Sequence, residues 1–211
     1  MNQPVVDRLK AALSGREIGI QDETGRFAVL ALLCEKEGEL HLLFELRADS
    51  LRGQPGETCF PGGKIEAGET PYEAALRETF EEVNIPPEDI TLIAPLDLIV
   101  DISNRVIYPF LGYVGEDGLS KLCPNEDEVK EAFLIPLTHL KEIDPYIYPA
   151  PVQMQIGEDF PYEKIGKAAD YHWRGGLIDV PVYEYQGKTV WGMTARAVRS
   201  LLRLLREVEH E

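Results

Sequence analysis

Apolar residues recur along this chain with two different periods. Val5, Val6, Leu9, Ala12 and Leu13 follow helical spacing and stop before Gly15, which predicts a short helix over residues 5–14. Residues 27–34 and 40–46 are apolar runs separated by the turn-like Glu37-Gly38-Glu39, and read as paired strands. The stretch 48–59, with Gly53, Pro55 and Gly56, reads as a loop; a short strand around Phe60 and a Gly62-Gly63 turn follow. Helical spacing returns over 70–83, where Ala74, Ala75, Leu76, Phe80 and Val83 form an apolar stripe. Residues 90–100 and 107–114 read as strands split by a polar turn at 101–105, 129–135 as another strand, and 136–143 as a short helix. Residues 180–185 and 189–191 make a hairpin about Gln186-Gly187, and 194–209 form a closing helix with Ala195, Val198, Leu201, Leu202 and Leu205 on one side. Only 144–176 lacks a clear period. It is rich in Tyr, Pro and Gly and reads as an insertion, serving as a lid or a dimer contact.

The 211 residues, 44% of them hydrophobic, suffice for one sizeable core. The expected organisation is an N-terminal helix in residues 1–20 and one domain over 21–211, interrupted at about 144–176. No apolar run approaches a membrane span, and residues 1–20 lack the hydrophobic stretch of a signal peptide, so a cytoplasmic protein is expected. Cys34, Cys59 and Cys123 are odd in number and widely spaced, and read as reduced thiols. A net charge of −16 argues against nucleic acid or an anionic membrane as partner. It also means that an anionic substrate would need bound cations or a few placed arginines.

That acidity is concentrated after Gly63, in the run GGKIEAGETPYEAALRETFEEVNI. Thr70 is a good N-cap, Pro71 suits the first helical position, and Glu73 completes a capping box. On the helix so defined, Glu78 and Glu82 share a face and Glu81 lies on its flank. Acids that close repel, and a hard divalent cation between them would reverse the cost. Arg77 supplies a guanidinium, and Glu69 is placed to pair with it and so to fix the loop against the helix.

The spacing of Gly63, Glu69, Arg77-Glu78 and Glu81-Glu82 resembles the Nudix box, with two departures: Thr79 where a larger aliphatic residue is usual, and Asn84 where the family has Gly. Asn tolerates the left-handed conformation that ends a helix, so the turn is expected to survive. Just upstream, RADSLRGQPGETCFPGG over 47–63 is similar to the signature of the coenzyme A pyrophosphatase branch of that family. Arg47, Ala48, Arg52, Gly56 and Phe60 to Gly63 meet its fixed positions, while Phe44 and Glu45 replace a Leu and a Thr just before it. Read as chemistry, two arginines in a Gly-rich loop beside an acidic helix form an anion site for phosphate oxygens, and Gly56, Gly62 and Gly63 let the backbone approach.

The resemblance implies a single α/β sandwich with a mixed sheet, and Mg²⁺- or Mn²⁺-dependent hydrolysis of the diphosphate of coenzyme A or its acyl derivatives. It implies Glu78 and Glu82 as principal metal ligands, Glu81 assisting, and the Gly63 carbonyl as a further ligand. Arg77 and Glu69 are read as orienting groups, and Glu128, just before the 129–135 strand, as the distal candidate for general base. Two other readings stand beside this one: a hydrolase of another diphosphate, such as ADP-ribose or a dinucleotide, and a non-catalytic ligand sensor. Nudix proteins are often dimers, so a homodimer is a further expectation.

Overall fold

The computed structural model describes residues 3–166 and 171–209. Residues 167–170 of the expected insertion lie outside the described residues. In chain order the elements are α1 (Gln3–Leu13), β1 (Gly25–Lys36), β2 (Glu39–Arg47), β3 (Thr58–Cys59), β4 (Gly62–Lys64), α2 (Pro71–Val83), β5 (Ile90–Pro95), β6 (Ile99–Val100) and β7 (Arg105–Val114). They continue with α3 (Glu116–Leu119), β8 (Val129–Pro136), α4 (Leu137–Glu142), β9 (Tyr146–Val152), β10 (Gly176–Tyr185), β11 (Lys188–Trp191) and α5 (Gly192–Glu209).

A mixed sheet forms the centre, with strand order β3-β2-β1-β7-β5; β4 pairs with β1, β6 with β7, and β8 with β2. The β1–β2 hairpin turns at Glu37 and Gly38, both at positive φ, the geometry that matches the twist of two-residue hairpins. Strand β7 runs parallel to β1, from Gly25 opposite Arg105 to Cys34 opposite Val114. Being central, β1 is buried on both faces, and its side chains divide between two cores. Ala28, Leu30, Leu32 and Cys34 pack with Leu43 and with Ala74, Ala75 and Val83 of α2. Ala31 and Leu33 pack with Phe44, Phe60 and the α5 residues Ala195, Val198, Leu201 and Leu202. One helix therefore covers each face of the sheet, giving the expected α/β sandwich.

Helix α2 begins and ends as its sequence dictates. The Thr70 hydroxyl accepts from the Glu73 amide, Glu73 accepts from the Thr70 amide, and Asn84 closes the helix in the left-handed region at φ 60°. Replacing Thr70 with alanine should cost about 1 kcal/mol of stability, read as a lower urea midpoint at unchanged slope.

Three expectations are corrected. The strand expected over 90–100 is two strands: Pro95 lacks an amide, β5 ends there, and pairing resumes at Ile99. The apolar stripe of α2 does not include Phe80, which is 46% exposed; Thr79 is buried instead, its hydroxyl donating to the Ala75 carbonyl at 2.7 Å. Helical period fixes a stripe's width but not which of its edges meets the sheet. The stretch 144–176 is not wholly irregular, because β9 pairs antiparallel with β10, which begins at Gly176 and pairs in turn with β11 in a second, three-stranded sheet. Pro149 and Pro151 disguised that strand, yet an edge strand hydrogen-bonds on one side only and tolerates them. Beyond β9, Phe160, Tyr162, Tyr171 and Trp173 stack edge to face. Helix α1 forms as expected but buries no residue, leaving its apolar stripe exposed. Among the described residues, no helix is long and apolar enough to cross a membrane.

Candidate active site

The carboxylates of α2 face a wall made by β4, and two glycines make that closeness possible. A Cβ on Gly62, whose φ is 150°, would lie 2.3 Å from the Ala28 carbonyl oxygen and 2.6 Å from the Val29 Cα. A Cβ on Gly63 would lie 2.4 Å from the Glu78 carboxylate. The Gly62 amide, pressed against β1, donates to Glu82 Oε2 at 2.7 Å. Backbone and helix are thus locked together at a carboxylate that is 3% exposed.

Arg77 organises the outer half of the cluster. Its Nη2 and Nε donate to the two oxygens of Glu69 at 2.8 and 3.1 Å, a bidentate pair. Its Nη1 donates to Glu78 Oε1 and Glu81 Oε2, both at 2.9 Å, and Nη2 also reaches the Lys64 carbonyl at 3.2 Å. One guanidinium therefore ties the loop before α2 to three acids of the cluster. The hydrogen bond from Arg77, first of all, holds Glu69 below the usual carboxylate range.

The inner half has too little positive charge. Burial, and next the proximity of Glu45, pushes Glu82 well above the carboxylate range. Burial also raises Glu78, against the pull of Arg77. Arg47 approaches this gap, its Nη1 4.0 Å from Glu82 Oε1, while its Nε donates to the Gly53 carbonyl. Glu128 is exposed just before β8, and its charge acts on both Glu45 and Glu78.

Two further expected members of the anion site lie on the loop before the box. Arg52 is exposed on the 48–57 loop, with no side-chain hydrogen bond or ion pair among the described residues. Gly56 shapes that loop: it sits at φ 69°, and its amide donates to the Arg47 carbonyl, closing the turn. One member went unrecognised in the sequence. Glu45 on β2 is fully buried, accepts a hydrogen bond from the Cys59 thiol at 3.1 Å, and is raised chiefly by burial. The available signal was strand alternation, since Leu43 and Glu45 share a face and Leu43 is core.

The donor set is chemically right for a hard divalent cation: carboxylate oxygens, several close together, some buried and short of positive charge. Among the described residues, however, no three His, Cys, Asp or Glu side chains are gathered into a ready cation cage. Glu78 and Glu81 are turned to Arg77, and Glu82 to the Gly62 amide. A cavity of about 670 Å³ opens between α5 and the β5–β6 edge, lined among others by Leu98, Tyr183, Arg196 and Arg203; the carboxylates of α2 take no part in it.

The NUDIX domain family model matches residues 24–151, from the start of β1 into β9. The chain is 34% identical over 160 residues to the peroxisomal coenzyme A diphosphatase NUDT7 of Mus musculus, an alignment covering 74% of this chain and 66% of that protein. It is 30% identical over 202 residues to the mitochondrial coenzyme A diphosphatase NUDT8 of Homo sapiens, covering 94% of this chain and 77% of that one. Its span is thus just under two thirds of the mouse protein's length. Among solved structures, a MutT/nudix family protein from Enterococcus faecalis superposes with a TM-score of 0.51 at 16% identity, covering 98% of this chain and 71% of that one; this likeness concerns the fold. With the box residues of α2 placed on a sandwich of this kind and a family match over more than half its length, the chain belongs to the Nudix family.

Proposed function

We propose that this protein is a divalent-cation-dependent diphosphatase acting on coenzyme A or acyl-coenzyme A, releasing (acyl-)4′-phosphopantetheine and 3′,5′-ADP. The observation that carries this reading is Arg47. It belongs to the coenzyme A-type pattern upstream of the box, and its guanidinium stands 4.0 Å from the buried Glu82 of the box itself. The two relatives named as coenzyme A diphosphatases support the same substrate.

Glu78 and Glu82 would hold Mg²⁺ or Mn²⁺, with Glu81 and the Gly63 carbonyl assisting. A cation there supplies charge neutralisation for the diphosphate and a lowered pKa for bound water. The chain's own residues do the rest. The Gly62 amide fixes Glu82; Arg77 and Glu69 hold the approach to α2 in place; Arg47 binds a phosphate oxygen, and Arg52 reaches one from the loop. Glu128, exposed yet close enough for its charge to act on Glu45 and Glu78, takes the proton of the attacking water at its carboxylate. Water then adds to one phosphorus as the other phosphate departs with the bridging oxygen.

The same reading includes cytoplasmic residence, supported by three free cysteines, and a homodimer, supported by exposed apolar side chains such as Tyr146, Tyr148 and Leu177 on the smaller sheet. The deciding experiment is a panel of diphosphates with Mg²⁺ or Mn²⁺. Coenzyme A and its acyl or disulfide forms should exceed ADP-ribose and dinucleotides by at least ~10-fold in kcat/KM, a difference of about 1.4 kcal/mol in transition-state binding. Faster turnover of ADP-ribose or a dinucleotide would transfer the assignment to that substrate.

A further inference from the structure

Strand β2 presents alternate residues to the two cores. Phe44 lies in the core under α5, and Leu43 in the core under α2. Glu45 follows on the α2 side, opposite Ala132 of β8, which packs against that same core. The position is one for a hydrophobic side chain, and Glu45 is fully buried there. Only half of its carboxylate has a partner. Oε1 accepts from the Cys59 thiol at 3.1 Å, a weak donor, whereas Oε2 is buried with no hydrogen-bond partner. From the helix side comes Glu82, 3% exposed and held by the Gly62 amide.

Two buried acids, one on β2 and one on α2 and near enough for the charge of Glu45 to act on Glu82, need positive charge between them. The guanidinium of Arg47 stops 4.0 Å from Glu82 and spends its Nε on the Gly53 carbonyl. Arg77 is occupied by Glu69, Glu78 and Glu81 on the outer side. The unpartnered Oε2 therefore has an open coordination position, in a setting where a hard cation is the missing counter-charge.

We propose that Glu45 is a ligand of the divalent cation site, donating Oε2 from the sheet side opposite Glu82. The inference rests on the metal-dependent reading above, and it adds a donor from outside the box. The coenzyme A-type pattern has Thr at this position, so this chain carries one more anionic oxygen than the pattern requires. Affinity for hard divalent cations rises with the number of charged ligands, so the extra carboxylate gives this protein a tighter cation site.

The test is a Mn²⁺ titration of the full chain, followed by the electron paramagnetic resonance signal of free Mn²⁺, with melting curves with and without the ion. The proteins compared are the unaltered chain, Glu45→Gln and Glu45→Thr; the second substitution carries the test if the first fails to fold. Both should bind Mn²⁺ at least tenfold more weakly. Their melting temperature without the ion should equal or exceed that of the unaltered chain, because a buried unpaired charge is gone, and the rise on adding Mn²⁺ should shrink. Unchanged Mn²⁺ affinity would overturn the proposal, as would a fall in metal-free melting temperature with the Mn²⁺-induced rise intact, since that is the signature of a structural residue. If Mn²⁺ binding depends on Glu45 but coenzyme A is not hydrolysed, the ligand assignment stands and the substrate assignment falls. If the unaltered chain binds no Mn²⁺, both fall.

Discussion

Glu82→Gln should lower diphosphate turnover on the order of 10²–10³-fold while leaving the chain folded, and should make the metal-free protein more resistant to alkaline pH. The first half follows from the proposed ligand role: the amide keeps the shape and the Gly62 hydrogen bond but gives up the negative charge. The second half follows from burial. Glu82 titrates above its unfolded range because burial and Glu45 oppose its ionisation. The folded state thus binds the proton more tightly than the unfolded chain does. Its contribution to stability is complete below the ordinary carboxylate range and is lost as pH rises through the raised folded value. Glutamine cannot ionise and escapes that loss. Melting curves from pH 5 to 9 without divalent cation should therefore show the unaltered protein falling further than the substituted one. Mg²⁺ should restore the unaltered protein most at the alkaline end, where the carboxylates are ionised. Equal turnover of the two proteins would remove Glu82 from the site.

Gly62→Ala and Gly63→Ala should fail in different ways, although the positions are adjacent. At Gly62 the added methyl meets backbone, the Ala28 oxygen at 2.3 Å and the Val29 Cα at 2.6 Å, in a conformation that L side chains rarely adopt. Neither strand can retreat without giving up the β1–β4 pairing, so a loss of at least ~3 kcal/mol is expected, seen as low soluble yield or a much reduced denaturation midpoint. At Gly63 the nearest atoms the methyl meets are those at the end of the Glu78 side chain, at 2.4 Å. That carboxylate can turn aside, so stability should fall by about 1 kcal/mol. Turnover should fall roughly 100-fold, because the proposed ligand has moved by about 1 Å. A stable, fully active Gly63→Ala protein would separate β4 from the chemistry.

What could be read in the sequence was mostly local. Thr70, Pro71, Glu73 and Asn84 define α2 through their own side-chain and backbone chemistry, and all of them act within one turn of the helix. The pairing of Arg77 with Glu69 also rests on short separation along the chain. What escaped depends on partners distant in sequence. Thr79 replaces Phe80 at the buried edge because the docking angle of α2 is set by the sheet. β9 became visible only beside β10. Glu45 stood in the sequence only as a replacement for Thr just before Arg47, and its burial appears once β8 and α2 enclose it. Arg52 shows the limit of spacing: the pattern pairs it with Arg47, yet the 48–57 loop closes on the Arg47 backbone while the Arg52 side chain stands exposed, without a partner among the described residues.

The parallel pairing of β1 with β7 has a consequence for how the protein folds. Gly25 lies opposite Arg105, so everything between them, including β4 and all of α2, forms a loop that must close before the two strands can bond. Closing a long loop is slow, and it is rewarded only when distant contacts form. The core under α2 draws on both strands, through Leu30, Leu32 and Val114. The helix therefore has no finished surface to dock on until that closure occurs, and the carboxylates take up their places in the same event. A nascent chain ending before β7 would have the box residues in order along its sequence and nothing to hold them together.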